Sequence, residues 1–488
     1  MTSIEQKHPV ANPLQEHEDY VVRLRLPVAL MGGTQAMRDA DRAFLPQEPA
    51  ESAAAYRARR DRTVLHNAYR RTVAYLTGQV FARDVVLGED VPEAAVEFAE
   101  NVDNAGNALS IFAEEVFRAG VDHGVAHILV DMPPAPRDAQ GRTRELTRAE
   151  EREQRRRPYW VLVRGEHVIG WRSEVEGGRS RLTQVRIRES VSEPDGEYGV
   201  RRVERIRLLE PGRYELWEKR KGKGGDETWA RIEEGVTTLD EIPLVTFMPG
   251  DRESAMTARP ALEDLAYLNL AHWQSSSDQR NILHFCRVPL LFGKCLTRDE
   301  AGDIVVGPNR LIHSDSENAD LKSVEHGGAA IEAGRRDLKD LEEAMALYGL
   351  QLLMPRTGNI TATEKALDSA ESDSTLKSWA LQFRDALEQA LHFTARWLGQ
   401  EGGGSCEVNT EFRMQDGLDA DLLLKAEQQG VISTQVVFEE FKRRGLLADS
   451  WEWREIEASF QNRPGLGLAA LAGTFLRGDR PDSGASKA

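Results

Sequence analysis

The chain has 488 residues, of which 40% are hydrophobic and 29% charged, and its 63 basic and 80 acidic side chains leave a net charge of −17. This composition suits a soluble globular protein of about two to four structural units, and its acidity argues against a protein that grips nucleic acid through bulk positive charge. The apolar runs are shorter than the roughly 20 residues that span a bilayer, and the first residues lack the pattern of a signal peptide. We therefore expect a protein that does not associate with a membrane and that stays, or assembles, in the cytosol.

The first 131 residues mix strand-like runs with helical patterns. Within the first 50 residues, the only strand-like run is Tyr20–Leu26. From Ser52 to Arg83 apolar residues recur at intervals of three and four, which predicts a helix. A second helix is predicted from Gly106 to Gly120, and Val125–Asp131 predicts a buried strand because glycine and proline bound its apolar run.

The predicted helix from Ser52 is strongly basic over its first part. Its arginines are Arg57, Arg59, Arg60, Arg62, Arg70 and Arg71. Two interpretations carry equal weight, a contact face for an acidic partner subunit or for DNA, and a plain solvated surface. A later run contains Arg152, Arg155, Arg156 and Arg157 between acidic residues, and for this run a solvated surface is preferred to a DNA patch.

A series of strand-like segments follows. They are Tyr159–Val163, Val168–Trp171, Leu182–Arg188, Val203–Leu209, Tyr214–Trp217 and Ile242–Phe247. Several of them alternate apolar and charged residues, which is typical of an antiparallel sheet with one buried face. The amino-terminal half is therefore predicted to be α+β.

The stretch from Pro260 to Gly399 contains long helical patterns and no catalytic motif. Ala261–Cys286 would be about 39 Å long as a continuous helix. An insert follows it, with strand-like runs at Leu290–Phe292 and Ile304–Val306. Apolar residues from Ile331 to Leu352 then have a heptad-like spacing, which predicts a helix facing one partner helix.

A short polar break, Pro355–Asn359, separates this pattern from a third amphipathic run, Thr361–Trp397. The rest of the chain predicts a short strand, then three helical segments and a flexible Gly/Ala/Ser-rich end. These segments are Val408–Phe412, Leu422–Gln429, Val436–Arg444 with Ser433 as its N-cap, Trp451–Phe460 and residues 463–488.

Three motifs approach known binding sites without matching them. Lys221–Gly225 lacks the Ser or Thr that a phosphate-binding loop needs, so a solvated turn is preferred. His123 and His127 would share a helix face, but the residues between them lead into a strand, where this spacing is about 13 Å and disfavours a metal site. Asn101–Gly106 is similar to a calcium loop whose last ligand position falls on Phe112, so a helix-capping turn is the better interpretation.

Two further features have ordinary explanations. Asp131 ends a predicted strand, as many catalytic carboxylates do, but no second carboxylate or base stands beside it, so a capping role is preferred. Cys286, Cys295 and Cys406 are an odd number without metal-binding spacing, which fits reduced core thiols. The sequence therefore predicts neither an enzyme nor a bound cofactor.

Several segments in a fixed order carry a resemblance to a known family. They are Tyr69–Phe81, Gly124–Asp131, Arg157–Tyr159, Val168–Arg172, Ile242–Val245, Pro260–Trp273, Gly430–Ser433, Arg443–Leu447 and Glu455. None is decisive alone, but their order from Tyr56 to Phe460 resembles the portal proteins of tailed bacteriophages, in particular a group long described only as a domain of unknown function.

The resemblance implies an α+β phage portal fold with an α/β wing, long stem helices, a small clip that contains β-structure, a tunnel loop and a helical crown. The implied boundaries are 1–260 for the amino-terminal region and wing, 261–286 and 331–354 for the stem helices, 287–330 for the clip, 355–365 for the tunnel loop, 366–400 for the long helix next to the crown, 401–462 for the late wing and crown, and 463–488 for the tail.

The implied function is that of a non-enzymatic subunit of a dodecameric ring at the unique capsid vertex, through which double-stranded DNA is packaged and ejected. Its implied partners are further copies of itself, the major capsid protein, the terminase large subunit, a head–tail connector and the DNA. It would be assembled in the host cytoplasm and reside in the virion. Two other interpretations stay open, a virion structural protein without a channel and a nucleic-acid-processing enzyme.

The resemblance also implies sites of contact. In the tunnel loop these are Arg356, Thr357, Asn359, Thr361 and Lys365, and in the clip they are Lys294, Arg298, Arg310 and Lys322. On the second stem helix we predict a basic ring that faces the channel and includes Arg335, Arg336 and Lys339. Many arginines repeated around a ring would bind phosphate tightly and stall the DNA, whereas a neutral or acidic wall lets it slide.

Overall fold

The computed structural model describes residues 8–133, 156–221, 227–286, 290–294, 318, 320–324, 328–346, 348, 362–410, 412, 427, 433–443, 447 and 453. For residues 290–294, 321–324 and 362–374 it describes the backbone alone. Contacts divide the chain into a larger unit, Met1–Asn359 with Thr375–Thr410, and a smaller unit, Ile360–Ser374 with Glu411–Ala488.

Helices and strands both contribute to the larger unit, which makes the fold α+β as predicted. The α-helices along the described chain are α1 (Gln15–Asp39), α2 (Ala53–Arg62), α3 (Ala68–Val80), α4 (Glu93–Phe98), α5 (Leu109–His123), α6 (Glu263–Cys286), α7 (Gly328–Met345), α8 (Ala362–Trp397) and α9 (Thr434–Arg443). The strands are β1 (Val86–Leu87), β2 (Ala126–Asp131), β3 (Tyr159–Arg164), β4 (Val168–Glu176), β5 (Arg179–Asp195), β6 (Gly199–Glu210), β7 (Arg213–Lys221), β8 (Glu227–Val236), β9 (Leu244–Phe247), β10 (Asp251–Arg252), β11 (Ala258–Arg259), β12 (Leu290–Lys294), β13 (Asp320–Val324) and β14 (Cys406–Glu407).

The amino-terminal segment corrects one prediction, because Tyr20–Leu26 lies in helix α1 and is not a strand. Tyr20, Leu24 and Leu30 are fully buried, at a spacing that follows the turns of a helix. Leu24 and Leu26 lie on the buried side of the helix, whereas Val22 and Arg25 are exposed, so the short period-two pattern in the sequence arises by chance.

The helix predicted from Ser52 to Arg83 is broken at residues 63–67 into α2 and α3. Asn67 explains the break through two hydrogen bonds. Its Oδ1 accepts a bond of 2.9 Å from the amide of Arg70 and so caps α3, and its Nδ2 donates a bond of 2.6 Å to the carbonyl of Leu30. That carbonyl lies just before Gly33, where α1 kinks at a φ of 79° that favours glycine.

A three-stranded antiparallel sheet, in the order β3–β2–β9, forms the centre of the larger unit. Helix α5 and the second half of α8 pack on it around the rings of Phe117, Phe247 and Phe383, whose centroids lie 4.8 to 5.4 Å apart. Trp160 on β3 donates a hydrogen bond of 2.8 Å to Thr394 on α8. The predicted helix 106–120 and strand 125–131 are thus confirmed as α5 and β2.

A five-stranded antiparallel meander, in the order β4–β5–β6–β7–β8, adjoins the central sheet. Val185, Ile187 and Leu209 share one apolar cluster with Leu129 and Val163 of the central sheet. The predicted strands from Val168 to Trp217 are confirmed, whereas β8 was not predicted, because its sequence ETWARIEEGV alternates poorly.

Helices α6 and α7 flank a two-stranded antiparallel pair, β12–β13. The predicted helix over Ala261–Cys286 is confirmed by α6, and the predicted strand at Leu290–Phe292 by β12. The predicted strand at Ile304–Val306 lies outside the described residues.

The last part of the larger unit corrects a second prediction. The strand is β14, at Cys406–Glu407, where it pairs with β1, and the predicted span Val408–Phe412 contains no described strand residue. In the smaller unit, the predicted helix at Val436–Arg444 is confirmed as α9, with Val437, Phe438 and Phe441 buried. The other segments predicted beyond residue 412 lie almost wholly outside the described residues.

No helix among the described residues combines the length and apolar character needed to cross a membrane.

Candidate functional site

Helices α6 and α7 pack against each other as a pair. Gln279 Nε2 donates a hydrogen bond of 2.9 Å to the carbonyl of Ile331, Ser275 donates one to Asp337, and His272 Nε2 lies 3.3 Å from Glu342. These contacts step backward along α6 as they step forward along α7, so the two helices are antiparallel. The chain leaves along one helix, passes through β12–β13 and returns along the other.

The interface between α6 and α7 is rich in polar groups. Met345 is the fully buried apolar residue of α7, while Ile331, Leu338 and Leu341 are half-buried on the same helix face. The heptad-like spacing in the sequence therefore located the face of α7 that meets α6 as far as Met345, whereas Tyr348, the next residue of the pattern, is 55% exposed. Hydrogen bonds from α6 supply the remaining contacts.

Arginines of α2 anchor the other side of α6 to the body of the protein. Arg59 is only 4% exposed, and its guanidinium contacts Glu51 through two bonds of 2.9 Å and Ser277 of α6 at 3.3 Å. Arg62 donates a bond of 2.9 Å to Asn281, also of α6. The hydrogen bonds from Arg59 lower the pKa of the Glu51 carboxyl, which favours the charged pair.

These contacts decide between the two interpretations of the basic helix for some of its residues. Arg59, Arg60 and Arg62 pair within the chain, the second of them with Asp41 at 2.8 Å, while Arg57, Arg70 and Arg71 are exposed. The sequence held a usable signal, because Arg59 follows the buried Tyr56 by three residues and precedes the buried Thr63 by four. An arginine on the apolar side of a helix indicates a buried ion pair.

The three residues predicted to face a channel lie together on the outward side of α7. The side chains of Arg335, Arg336 and Lys339 are 67%, 74% and 68% exposed. Each has an acidic neighbour on the same helix, since both arginines contact Glu332, at 2.6 and 3.4 Å, and Lys339 lies 3.4 Å from Glu343. We call these five residues the α7 stripe. It alternates in charge and is not purely basic.

The structure describes only some of the other predicted contact residues. Lys294 and Lys322 lie on β12 and β13, where Lys322 is the register partner of Phe292, and the structure describes their backbone alone. Lys365 lies in the first turns of α8, which begins at Ala362. The remaining predicted residues lie outside the described part of the chain, namely Arg298, Arg310, Arg356, Thr357, Asn359 and Thr361.

A buried histidine, His123, was considered in the sequence only as a metal ligand. It ends α5, and its ring lies 3.2 Å from Asp122 Oδ2 and 3.5 Å from Glu166 Oε2. Burial alone would lower the pKa of His123, but the two carboxylates outweigh it and raise that pKa to about 10. His127 lies on β2, where it contacts Thr246 at 3.0 Å and burial lowers its pKa to about 4.

The structure gives Asp131 a role in an ion network. Its Oδ1 accepts a bond of 2.9 Å from the amide of Met132, as in a cap, and its Oδ2 accepts bonds from Tyr159 at 3.0 Å and Arg207 at 2.9 Å. Arg207 also contacts Glu189 at 2.6 Å. Burial would lower the pKa of Arg207, but the two carboxylates outweigh it and raise that pKa. This carboxylate is therefore occupied in joining the two sheets.

Other candidate motifs also have structural explanations. Asn101 and Asp103 accept hydrogen bonds from the amides of Gly106, Ala105 and Asn107, which makes the predicted turn. Lys221–Gly225 lies almost wholly outside the described residues. In the described part of the chain, no group of three or more His, Cys, Asp or Glu residues is arranged to hold a metal ion.

Residues 261–398, which include α6, β12–β13, α7 and α8, match the model of a family described as a domain of unknown function, DUF4055. No curated protein matches the chain.

Solved structures of gene transfer agent (GTA) particles contain chains similar to this one. One is from the neck of an empty GTA particle computed with C6 symmetry, with 12% identity over 75% of this chain and 86% of that chain and a TM-score of 0.37. Another is from the virion of the native particle, with 11% identity, 75% and 85% coverage and a TM-score of 0.38. A third is from the neck of the native particle computed with C12 symmetry, with 11% identity, 75% and 87% coverage and a TM-score of 0.36.

Proposed function

We propose that this protein is the portal subunit of a tailed-phage-like particle. Twelve copies form a ring at one capsid vertex, and double-stranded DNA passes through the ring during packaging and ejection. The single observation that supports this most directly is the antiparallel pair α6 and α7, joined through β12–β13, because it has the order of stem helix, clip and stem helix that the sequence resemblance implies.

The way the pair is attached supports a mechanical role. Arg59 and Arg62 of α2 bind α6 on one side, and Gln279, Ser275 and His272 bind α7 on the other. Asn269 of α6 adds two further bonds, since it accepts from the amide of Tyr69 at 3.0 Å and donates to the carbonyl of His66 at 2.8 Å. A helix fixed this way transmits force to the body instead of bending away from it.

In this proposal the protein performs no chemical step. The ring takes DNA through its channel, the terminase large subunit supplies the ATP-driven motion, and the head–tail connector and the major capsid protein bind its outer surfaces. The α7 stripe, with Arg335, Arg336 and Lys339, is proposed to line the channel. Its acidic neighbours, Glu332 and Glu343, reduce the net charge that DNA meets.

Electron microscopy of the purified chain, with native mass spectrometry of the same sample, tests the proposal. We expect closed rings with a central hole wide enough for a DNA duplex. Discs without a hole would favour a structural protein that has no channel, and a chain that degrades DNA or hydrolyses ATP would favour an enzyme. If the isolated chain is monomeric, a reconstruction of the particle decides, because a portal subunit must lie at one vertex alone.

A further inference from the structure

Strands β5 and β6 extend beyond the sheet to which they belong. The pairing of β4 with β5 ends at Ile187, and the pairing of β7 with β6 begins only at Arg205. Past these points, Ser190–Asp195 pairs with Gly199–Glu204 and with no other strand in the part of the chain that the structure describes. We call this two-stranded extension, Ser190–Glu204, the β-arm.

The β-arm has almost no core of its own. Val203 at its base is buried, but Val200 is 69% exposed and Tyr198, in the turn, is 90% exposed. Two-stranded ribbons are marginally stable in water, and their outer edges present unpaired amide and carbonyl groups that can bind another strand. The β-arm therefore offers backbone groups for strand pairing on both of its edges, although Pro194 of β5 has no amide to donate.

The two edges carry opposite charge. The β5 side of the arm contains Glu193 and Asp195 and no basic residue, whereas the β6 side contains Arg201 and Arg202, with Glu204 at its base. Glu204 already lies 3.5 Å from Lys219. Glu193 already pairs with Arg201 at 3.1 Å and with Arg205 in the same chain. Asp195 on the β5 edge and Arg202 on the β6 edge are both exposed, and they are therefore the opposite charges left for a contact with another copy.

The β6 edge also has room beside it. Strand β7 separates from β6 beyond the pair of Arg205 and Glu218, which opens a notch lined by residues 201–204 on one side and by Glu218, Lys219, Arg220 and Glu227 on the other. A strand that enters from outside can therefore approach the unpaired edge of β6.

We propose that the β-arm binds a second copy of this chain, with the β6 edge of one copy pairing with the β5 edge of the next. The opposite charges favour this contact over one between two like edges. Because each copy uses a different edge toward each neighbour, the contact is heterologous and continues from copy to copy. That it closes into a ring rests on the proposed function, but the pairing itself does not.

Cross-linking tests which edges meet. One preparation carries Ser192→Cys on β5 and heavy isotopes, and another carries Val200→Cys on β6 with natural isotopes. After mixing and treatment with a short bismaleimide, we expect peptides that join a heavy position 192 to a light position 200, several-fold above the like pairs 192–192 and 200–200. The wild-type chain, treated in parallel, gives the background from its native cysteines.

Charge exchange provides a second test. Arg201→Glu with Arg202→Glu in one variant, and Glu193→Arg with Asp195→Arg in another, should each weaken self-association about tenfold, because like charges then face each other across the contact. Each variant also loses the bond of 3.1 Å between Arg201 and Glu193 within its own chain. A mixture of the two restores only contacts between copies, so recovered association in the mixture identifies an interface.

A shortened hairpin serves as the folding control. Replacing residues 190–204 by Asn-Gly joins Glu189 to Arg205, which are register partners, through a two-residue turn. This variant should keep a cooperative thermal transition close to that of the wild-type chain, with a small fall in its midpoint from the loss of Val203, and should lose the charge-dependent association.

The outcomes separate this proposal from the portal function. Like-edge cross-links, no cross-links between copies, or no recovery in the mixture would each overturn the β-arm contact. Rings with a central hole but without 192–200 cross-links would overturn it while the portal function stands. β-arms that are cross-linked in an assembly without a channel would support the β-arm contact and contradict the portal function.

Discussion

At the scale of single residues, we expect a buried ion pair to make the stability of this fold depend on pH. His123 is 3% exposed and lies between Asp122 and Glu166, and its ion pair with Glu166 joins the end of α5 to the connection between β3 and β4. Burial would raise the pKa of Glu166, but the charged His123 outweighs it and lowers that pKa to about 2. Breaking a buried pair leaves an uncompensated charge, which costs about 3 kcal/mol or more.

We predict that His123→Gln lowers the free energy of unfolding by about 3 kcal/mol near pH 5.5, and by less near pH 9.5. The raised pKa of His123, about 10 against 6.5, gives stability that is complete below pH 6.5 and is lost as the pH rises toward 10. The lowered pKa of Glu166, about 2 against 4.5, gives stability that is present above pH 4.5 and is lost as the pH falls toward 2.

Urea unfolding at the two pH values measures the difference. His392→Gln is the matched control, because His392 is exposed on α8 and should change stability little at either pH. An equal loss at both pH values would assign His123 to packing and not to charge.

At the scale of elements, the sequence alone predicted the helices that have long periodic patterns. It did not predict the features that depend on contacts between residues far apart in the chain. Helices α5, α6 and α9 were predicted because their apolar residues repeat over several turns. The break between α2 and α3 could not be predicted, since it depends on the bond from Asn67 to Leu30, far away in the sequence. Strand β13, with the sequence DLKSV, has little pattern of its own and is defined by pairing with β12.

The same distinction applies to the candidate site. The heptad-like spacing predicted which face of α7 meets α6, because that information is local. It could not predict that Arg59 would be buried against Glu51 and Ser277, because the partners come from a preceding loop and from a helix more than two hundred residues away. Charge alone left the basic helix with two interpretations, and the tertiary contacts separated its buried arginines from its exposed ones.

The alternation of charge on the α7 stripe leads to a prediction about DNA. Replacing Glu332 and Glu343 by Gln removes the acidic partners of Arg335, Arg336 and Lys339. If the stripe lines a channel, every copy then presents uncompensated cations, and the assembled protein should bind a short DNA duplex about tenfold more tightly at low salt. Gel mobility or fluorescence anisotropy measures this binding.

The control for the α7 stripe keeps the same change of charge at another place. Glu16→Gln with Glu18→Gln on α1 alters two exposed carboxylates outside the proposed channel and should leave DNA binding nearly unchanged. Equal effects of the two double variants would show that net charge, and not the position of the stripe, controls binding. The stripe would then have no assigned place in the channel.

At the scale of the whole molecule, the net charge of −17 opposes assembly while local charges favour it. Copies of an acidic chain repel one another over distances set by the salt concentration, because counter-ions screen exposed charges beyond the Debye length. The β-arm acts in the other direction, since its acidic and basic edges attract. The dependence of association on salt therefore shows which contribution is larger.

We predict that self-association strengthens as NaCl rises from about 0.1 M to about 1 M, where the Debye length falls from about 10 Å to about 3 Å. The arm contributes a few exposed ion pairs, each worth at most about 1 kcal/mol, and so it loses less on screening than the repulsion of whole chains does. Sedimentation velocity across this range measures the change, and sucrose at equal osmolarity controls for excluded volume. The chain with the shortened β5–β6 hairpin should associate more weakly than the wild-type chain at every salt concentration, because it keeps the repulsion and lacks the attraction. Association that weakens with salt in the wild-type chain would mean that specific ion pairs between copies, and not net charge, control assembly.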